Sequence, residues 1–268
     1  MAQPKNSGED FDDADVARAY ANRPPYPPAL IEALAGLASG RARALDLGCG
    51  PGKLAIPLAD RFDEVWAADL SAPMIAAGQA ADAGAHPNLR WMHGPIEDLD
   101  APDGGFDLAA AGASIHWMDH ARLFPRLARW LRPGAVIAVV EGDGPAEAPW
   151  REAYGAVIRG WVERLGGVWN DPAMIAGSRA HEAWIGEPRR AEFSHEVRMS
   201  LEALIDGEHS RATWARAKLG PDRSAAFDAD LRDALTPHAE EGILIFKVRT
   251  RLLYGRPLPE PMTHSVAG

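Results

Sequence analysis

The stretch Ala44-Leu45-Asp46-Leu47-Gly48-Cys49-Gly50-Pro51-Gly52-Lys53-Leu54-Ala55 constrains the fold of this chain more than any other. The apolar residues up to Leu47 suit a short buried strand, and Leu54, Leu58, Ala59 and Phe62 then fall at helical spacing on one face. Between strand and helix stand Gly48, Gly50 and Gly52. Glycine reaches positive φ and leaves the main chain bare, so the edge of a ligand can rest on backbone atoms where the helix begins. Pro57 falls close to the first turn of a helix that starts near Gly52, where N–H groups lack intrahelical partners, and so costs little.

Several glycine loops share this composition, and spacing separates them. A dinucleotide fingerprint counted from Gly48 puts its third glycine on Lys53. Counted from Gly50, its alanine variant is met at Ala55, but the strand would then have ended too early. No Gly-Lys-Ser/Thr follows at the spacing of a phosphate loop. The stretch resembles the first motif of the class I S-adenosylmethionine-dependent methyltransferases, with Asp46 as the acid at the strand end and Gly48, Gly50 and Gly52 as the glycines.

A second apolar strand, Glu64 to Leu70, carries Asp69 at its end, roughly twenty residues beyond the loop. Adjacent parallel strands end side by side, so this acid is placed to accept hydrogen bonds from both hydroxyls of a ribose, with Leu70 and Met74 as apolar walls for the base. A helix N-cap is the alternative role. The loop Gly94-Pro95-Ile96-Glu97-Asp98 occupies the place where the resembled family reads the adenine edge. Pro95 stands where a polar residue is frequent there, which leaves the Ile96 backbone and either Glu97 or Asp98.

The strand Phe106 to Ala113 ends in small residues, Gly112 among them, and runs into His116-Trp117-Met118-Asp119. That turn resembles a subgroup of methyltransferases acting on small molecules, which includes the trans-aconitate methyltransferase type. His116 and Trp117 are therefore the candidates at the methyl-transfer end. His116 is either a general base or a residue that hydrogen-bonds the turn and fixes Trp117. Ahead of the loop, Tyr20 and Arg23-Pro24-Pro25-Tyr26-Pro27-Pro28 resemble the family's N-terminal lid over the cofactor's methionine end. Packing tyrosines and a solvated arginine are the plain alternative.

Helices are expected over Phe11–Tyr20, Ala29–Ala38, Pro73–Ala83 and Leu123–Leu131, with strands at Leu89–Met92 and Ala135–Val140. This βαβα alternation implies a parallel sheet covered on both faces. From 145 to 241 the chain reads as mainly helical and holds Trp150, Trp161, Trp169, Trp184 and Trp214, with one strand at Arg190–Arg198. A last strand follows at Ile243–Tyr254. The expected fold is α/β, a Rossmann-like, seven-stranded class I methyltransferase fold with a helical cap inserted after the fifth strand. Residues 1–40 form the tail and lid, 41–144 and 242–257 the core, and 145–241 the cap.

The resemblance implies S-adenosylmethionine as cofactor and a small-molecule acceptor, with O-methylation of a carboxylate or hydroxyl favoured. Other chemistry on the cofactor, or binding without catalysis, would use the same residues. A net charge of −10 opposes a nucleic-acid or anionic-membrane partner. The basic set Arg122, Arg126, Arg129 and Arg132 reads as one solvated helix face. Cys49, the single cysteine, excludes an intrachain disulfide, and no metal cluster is foreseen. With no secretory pattern and no run of about 18 apolar residues, a cytoplasmic location is expected.

Overall fold

Five strands run parallel in this computed structural model, which describes residues 13–169 and 178–262. They are β1 (Arg43–Leu47), β2 (Glu64–Asp69), β3 (Leu89–His93), β4 (Phe106–Gly112) and β5 (Leu131–Glu141), in the spatial order β3-β2-β1-β4-β5. The three-residue strand β6 (Pro145–Glu147) follows, then two long strands, β7 (Ile185–Ser200) and β8 (Ile243–Pro257). β8 lies antiparallel between β5 and β7.

Helices α1 (Ala14–Tyr20), α2 (Pro28–Leu37), α3 (Ala55–Ala59), α4 (Ala72–Asp82) and α5 (His120–Trp130) precede β5. Each sheet face carries its own core. Leu30, Leu34, Leu58 and Leu108 pack on one side, and Leu45, Phe106, Phe124 and Trp130 on the other. A third core gathers α6 (Arg151–Arg164), α7 (Leu201–Glu208), the short α8 (Arg216–Leu219) and α9 (Pro221–Leu235) against the start of β8 and the end of β7. It buries Trp150, Trp161 and Trp214. Trp214 stacks on Phe227 at 4.9 Å, and Trp161 Nε1 donates to Asp230 at 2.8 Å. These tryptophans serve packing, whereas Trp169 is exposed.

Several elements depart from the sequence expectation, among them β5, which starts at Leu131 rather than Ala135. The sheet has eight strands rather than seven, because β8 outruns β5 and its free edge is continued by β6 through Val248 and Lys247. The helix after the glycine loop begins at Ala55 rather than near Gly52, since Gly50 and Gly52 hold φ of +52° and +82°, outside the helical region. β7 spans Ile185–Ser200 rather than 190–198 because β8 offers it partners along nearly its whole length. α5 begins at His120, where Asp119 accepts hydrogen bonds from the N–H groups of Ala121 and Arg122. On its surface Arg122 pairs with Asp98 and Arg129 with Asp103, Arg132 pairs with Asp107, and Arg126 lies over the Trp130 ring.

Asp107 ties the lower ends of three strands together. Its side chain is 1% exposed and accepts from the Arg43 N–H at 2.9 Å and the Arg132 guanidinium at 2.7 Å. Burial alone would raise its carboxyl, but these hydrogen bonds and the Arg132 charge hold it below the usual carboxylate range. A depressed native value means that its stabilisation is complete above the unfolded value near 3.8 and is lost as pH falls below it. Asp107→Ala is therefore expected to lower the unfolding free energy by about 1–3 kcal/mol at pH 7. Urea titrations at pH 7 and pH 3 should show that deficit shrinking at the lower pH.

Candidate functional site

The glycine loop leaves β1 and leans on the end of β2. The N–H groups of Gly48 and Cys49 both donate to the Ala68 carbonyl, at 2.9 and 3.0 Å. The Asp69 carboxylate then receives the Gly50 N–H at 2.7 Å and the Ser71 N–H at 2.8 Å. Ser71 caps α4 by accepting from the Met74 N–H. Asp69 therefore acts as a strap between two loops, and Ser71 takes the N-cap role.

At Gly48, φ is +66° and an added Cβ would lie 2.6 Å from that of Ser114, so only glycine fits. Above Gly50 the space is open, and the nearest atom to an added Cβ is in the Tyr20 ring at 4.0 Å. This space belongs to a cavity at the C-terminal edge of the parallel strands. It is lined by Tyr20, Arg23, Gly48, Gly50, Asp69, Leu70, Met74, Ile96, Glu97, Gly112 and Trp117, together with Pro95, Ala113, Ser114 and Met118. Leu70 is 46% exposed, an apolar side chain left at the rim, while Met74 and Ile96 are buried in the wall. Glu97 accepts the Asp119 N–H at 2.7 Å, whereas Asp98 turns to Arg122.

Three candidates stand off this wall. Gly52 packs on the Trp91 ring, 2.6 Å from where a Cβ would sit, and so sets how closely the loop approaches β3. His116 lies on the turn Ile115–Trp117, with its ring 4.9 Å from that of Trp117. Burial pushes its imidazole down, Glu141 opposes this, and His181 and His120 add to it. Asp46 is 1% exposed beneath the loop. Neither of its oxygens has a hydrogen-bond partner of good geometry among the described residues. Burial and the Asp69 charge push its carboxyl up to about 7, against the Ala55 N–H, which favours the ionised form.

The N-terminal segment is held over the loop by residues that local sequence patterns do not mark. The Arg23 guanidinium stacks on Tyr20 at 4.1 Å, donates to Ser210 Oγ at 2.7 Å and to its carbonyl at 2.9 Å, and pairs with Asp143 at 3.1 Å. Arg211 reaches the other Asp143 oxygen at 3.3 Å. Lys53 donates to the carbonyls of Arg23 and Pro24. Ser210 lies 187 residues from Arg23. Lys53 adjoins the glycine motif, and Asp143 follows the fifth apolar strand in Glu141-Gly142-Asp143-Gly144; position is the only signal either carries. Among the described residues no cluster of His, Cys, Asp and Glu could hold a metal ion, and no helix is long and apolar enough to cross a membrane.

Comparison with known proteins adds to this geometry. Residues 44–134 match a family model described as a methyltransferase domain. An uncharacterised methyltransferase of Mycobacterium tuberculosis is 32% identical over 182 residues, covering 67% of this chain and 84% of the relative. A trans-aconitate 2-methyltransferase of Deinococcus radiodurans is 45% identical over 101 residues, 37% of each chain. Another, from Azoarcus, is 30% identical over 181 residues, 65% of this chain and 67% of the relative. A solved structure from Anaeromyxobacter dehalogenans, described as a type II methyltransferase, superposes with a TM-score of 0.69. It is 29% identical and covers 89% of this chain and 99% of its own.

Asp46 offers a test that needs no ligand. Its native value of about 7 against 3.8 unfolded means the native state binds the extra proton, so stability falls as pH rises between these values. Asp46→Asn removes that buried charge and should raise the unfolding free energy by about 1–3 kcal/mol at pH 8, with the gain shrinking as pH falls and vanishing near pH 3, below the unfolded value of 3.8. Urea unfolding at both pH values measures this. An asparagine variant less stable than the parent at pH 8 would contradict it.

Proposed function

The chain belongs to the class I S-adenosylmethionine-dependent methyltransferases that act on small molecules, and we propose that it methylates a carboxylate oxygen of a small organic acid. The cofactor supplies a methyl group already activated on a sulfonium. What remains for the protein is to hold the acceptor in line, in a dry site, a contribution that can reach about 7–11 kcal/mol.

The wall residues fit this cofactor. The Asp69 carboxylate, which fixes Gly50 and Ser71, lies on the cavity wall at the strand end, where it would meet the ribose hydroxyls. Leu70, Met74 and Ile96 make an apolar slot for the adenine, with the Ile96 N–H and Glu97 at its edge. The buried carboxylate of Asp46 lies under bare backbone at Gly48 and Gly50, and an α-ammonium group above them would compensate its charge. In this reading Tyr20 and Arg23, within residues 1–40, close over the methionine end as a lid. The helices between 145 and 241 serve as the cap on the acceptor side. Gly112 and Trp117 face the methyl end.

One observation carries the choice of acceptor. The wall beyond β4 consists of Gly112, Ala113, Ser114, Trp117 and Met118. The Ser114 hydroxyl donates to the Leu47 carbonyl, and His116 does not line the cavity. Among the described residues no side chain of that wall is placed to take a proton. A general base is worth about 10²–10⁴-fold only for nucleophiles that carry a proton at neutral pH, and a carboxylate carries none. The two trans-aconitate 2-methyltransferases among the relatives support the same class of acceptor.

The test is turnover with S-adenosylmethionine and a panel of small mono-, di- and tricarboxylates, phenols and amines, with mass detection of both products. S-adenosylhomocysteine and a methyl ester are expected in equal amounts, at a rate flat between about pH 6 and 8. Turnover confined to phenols or amines would overturn the acceptor class. His116→Asn is expected to stay within about threefold of the parent, whereas a loss of about 10²–10⁴-fold with folding intact would make His116 the base.

A further inference from the structure

Lys53 and Asp143 are half-buried ionisable side chains that the cofactor reading does not use, and both hold the same short segment. In Arg23-Pro24-Pro25-Tyr26-Pro27-Pro28 only Arg23 and Tyr26 possess a backbone N–H, so the segment has little with which to join a sheet or helix. Its carbonyls and one guanidinium are the groups left to fix it. Lys53 Nζ takes two of those carbonyls, of Arg23 and of Pro24 (2.9 Å to the latter), and lies 5.4 Å from the centre of the Tyr20 ring. The Arg23 guanidinium covers the same ring at 4.1 Å, so two side chains fix its place above Gly50.

From the other side Asp143 accepts the Arg23 guanidinium on one oxygen and that of Arg211 on the other. The side chains of Arg23 and Asp143 are only 9% and 14% exposed, so this pairing is screened little by solvent. Glu208 in turn holds Arg211 at 3.2 Å, which ties the array to the end of α7.

We propose that Lys53 and Asp143 are positioning residues that clasp the N-terminal lid, Lys53 by the main chain of Arg23 and Pro24 and Asp143 by the Arg23 guanidinium. Together they set Tyr20 and Arg23 over the glycine loop, and they set how long the cofactor stays there. The second half of this rests on the cavity being the cofactor site. The first half does not. Lys53 donates from the loop itself, so the element that receives the cofactor also holds the cover over it.

Hydrogen exchange on the ligand-free full chain tests the clasp directly. Lys53→Met and Asp143→Asn should each speed exchange across residues 14–27 by about tenfold, the scale of one charge-assisted hydrogen bond. Peptides of β1 and β4 should keep their protection. Lys53→Arg, which again offers donors to both carbonyls, should restore most of the lid's protection. Unchanged lid exchange in both variants would overturn the proposal, and so would an equal loss in lid and core.

Calorimetry with two probes tests the consequence. Lys53→Met should weaken S-adenosylmethionine about tenfold and adenosine less than twofold, because adenosine lacks the methionine moiety that the lid covers. Equal weakening of both would mean damage to the loop and overturn the positioning role. If the parent protein bound neither probe, the cofactor reading would fail, and the exchange result would still decide the clasp.

Discussion

The Asp69 carboxylate holds the architecture of the site together. By receiving the N–H groups of Gly50 and Ser71 it fixes the glycine loop of one strand to the first turn after the next. The loop cannot make these bonds while continuing as helix, which is why Gly48, Gly50 and Gly52 all sit at positive φ and α3 waits until Ala55. The result is a stretch of main chain turned outward, with its side-chain positions empty and a carboxylate at its margin. In the proposed reading, a cofactor with a ribose and an α-amino acid meets both of its polar ends there, on elements that already hold each other.

The opposite wall depends on β8. Its pairing with β5 and β7 brings the last long strand into the middle of the sheet, and its overhang carries the third hydrophobic core. That core places α7 and the turn after it within reach of Asp143 and Arg23. The cavity therefore has a floor made by the first half of the chain and a cover fastened by the second.

Much of this was legible in the sequence, and the reasons it was are local. The register of the glycines, the acid at Asp69, and the small residues ahead of Gly112 are patterns within a few residues or one βαβ repeat, where spacing dictates geometry. The same locality explains what spacing does not reveal. Where α3 starts depends on the φ of Gly52, which a helical period after the loop does not report. The partners of Arg23 lie 187 residues away, and Ser210 and Arg211 sit in no motif. Lys53 is visible beside the glycines, yet its role follows from the prolines of a distant segment that lacks donors of its own. The tryptophans between 145 and 241 carry no spacing that tells pocket from core, and only their packing, Trp161 and Trp214 on Phe227 and Trp150 on Phe246, assigns them to the core.

The order of the strands also carries a consequence for how the molecule comes into being on the ribosome. The five parallel strands and the glycine loop are made first, but the free edge of β5 can be paired only when residues 243–257 have emerged, after more than half of the chain has been spoken for by other elements. Until then the growing protein exposes an unpaired ladder of backbone groups, the kind of edge on which foreign strands assemble. The same delay leaves Arg23 without Ser210 and Arg211. A nascent chain of this protein thus displays the glycine-loop floor of the cavity long before it can cover it, and closing the sheet and closing the lid both wait for the strand that comes after every other element of the sheet.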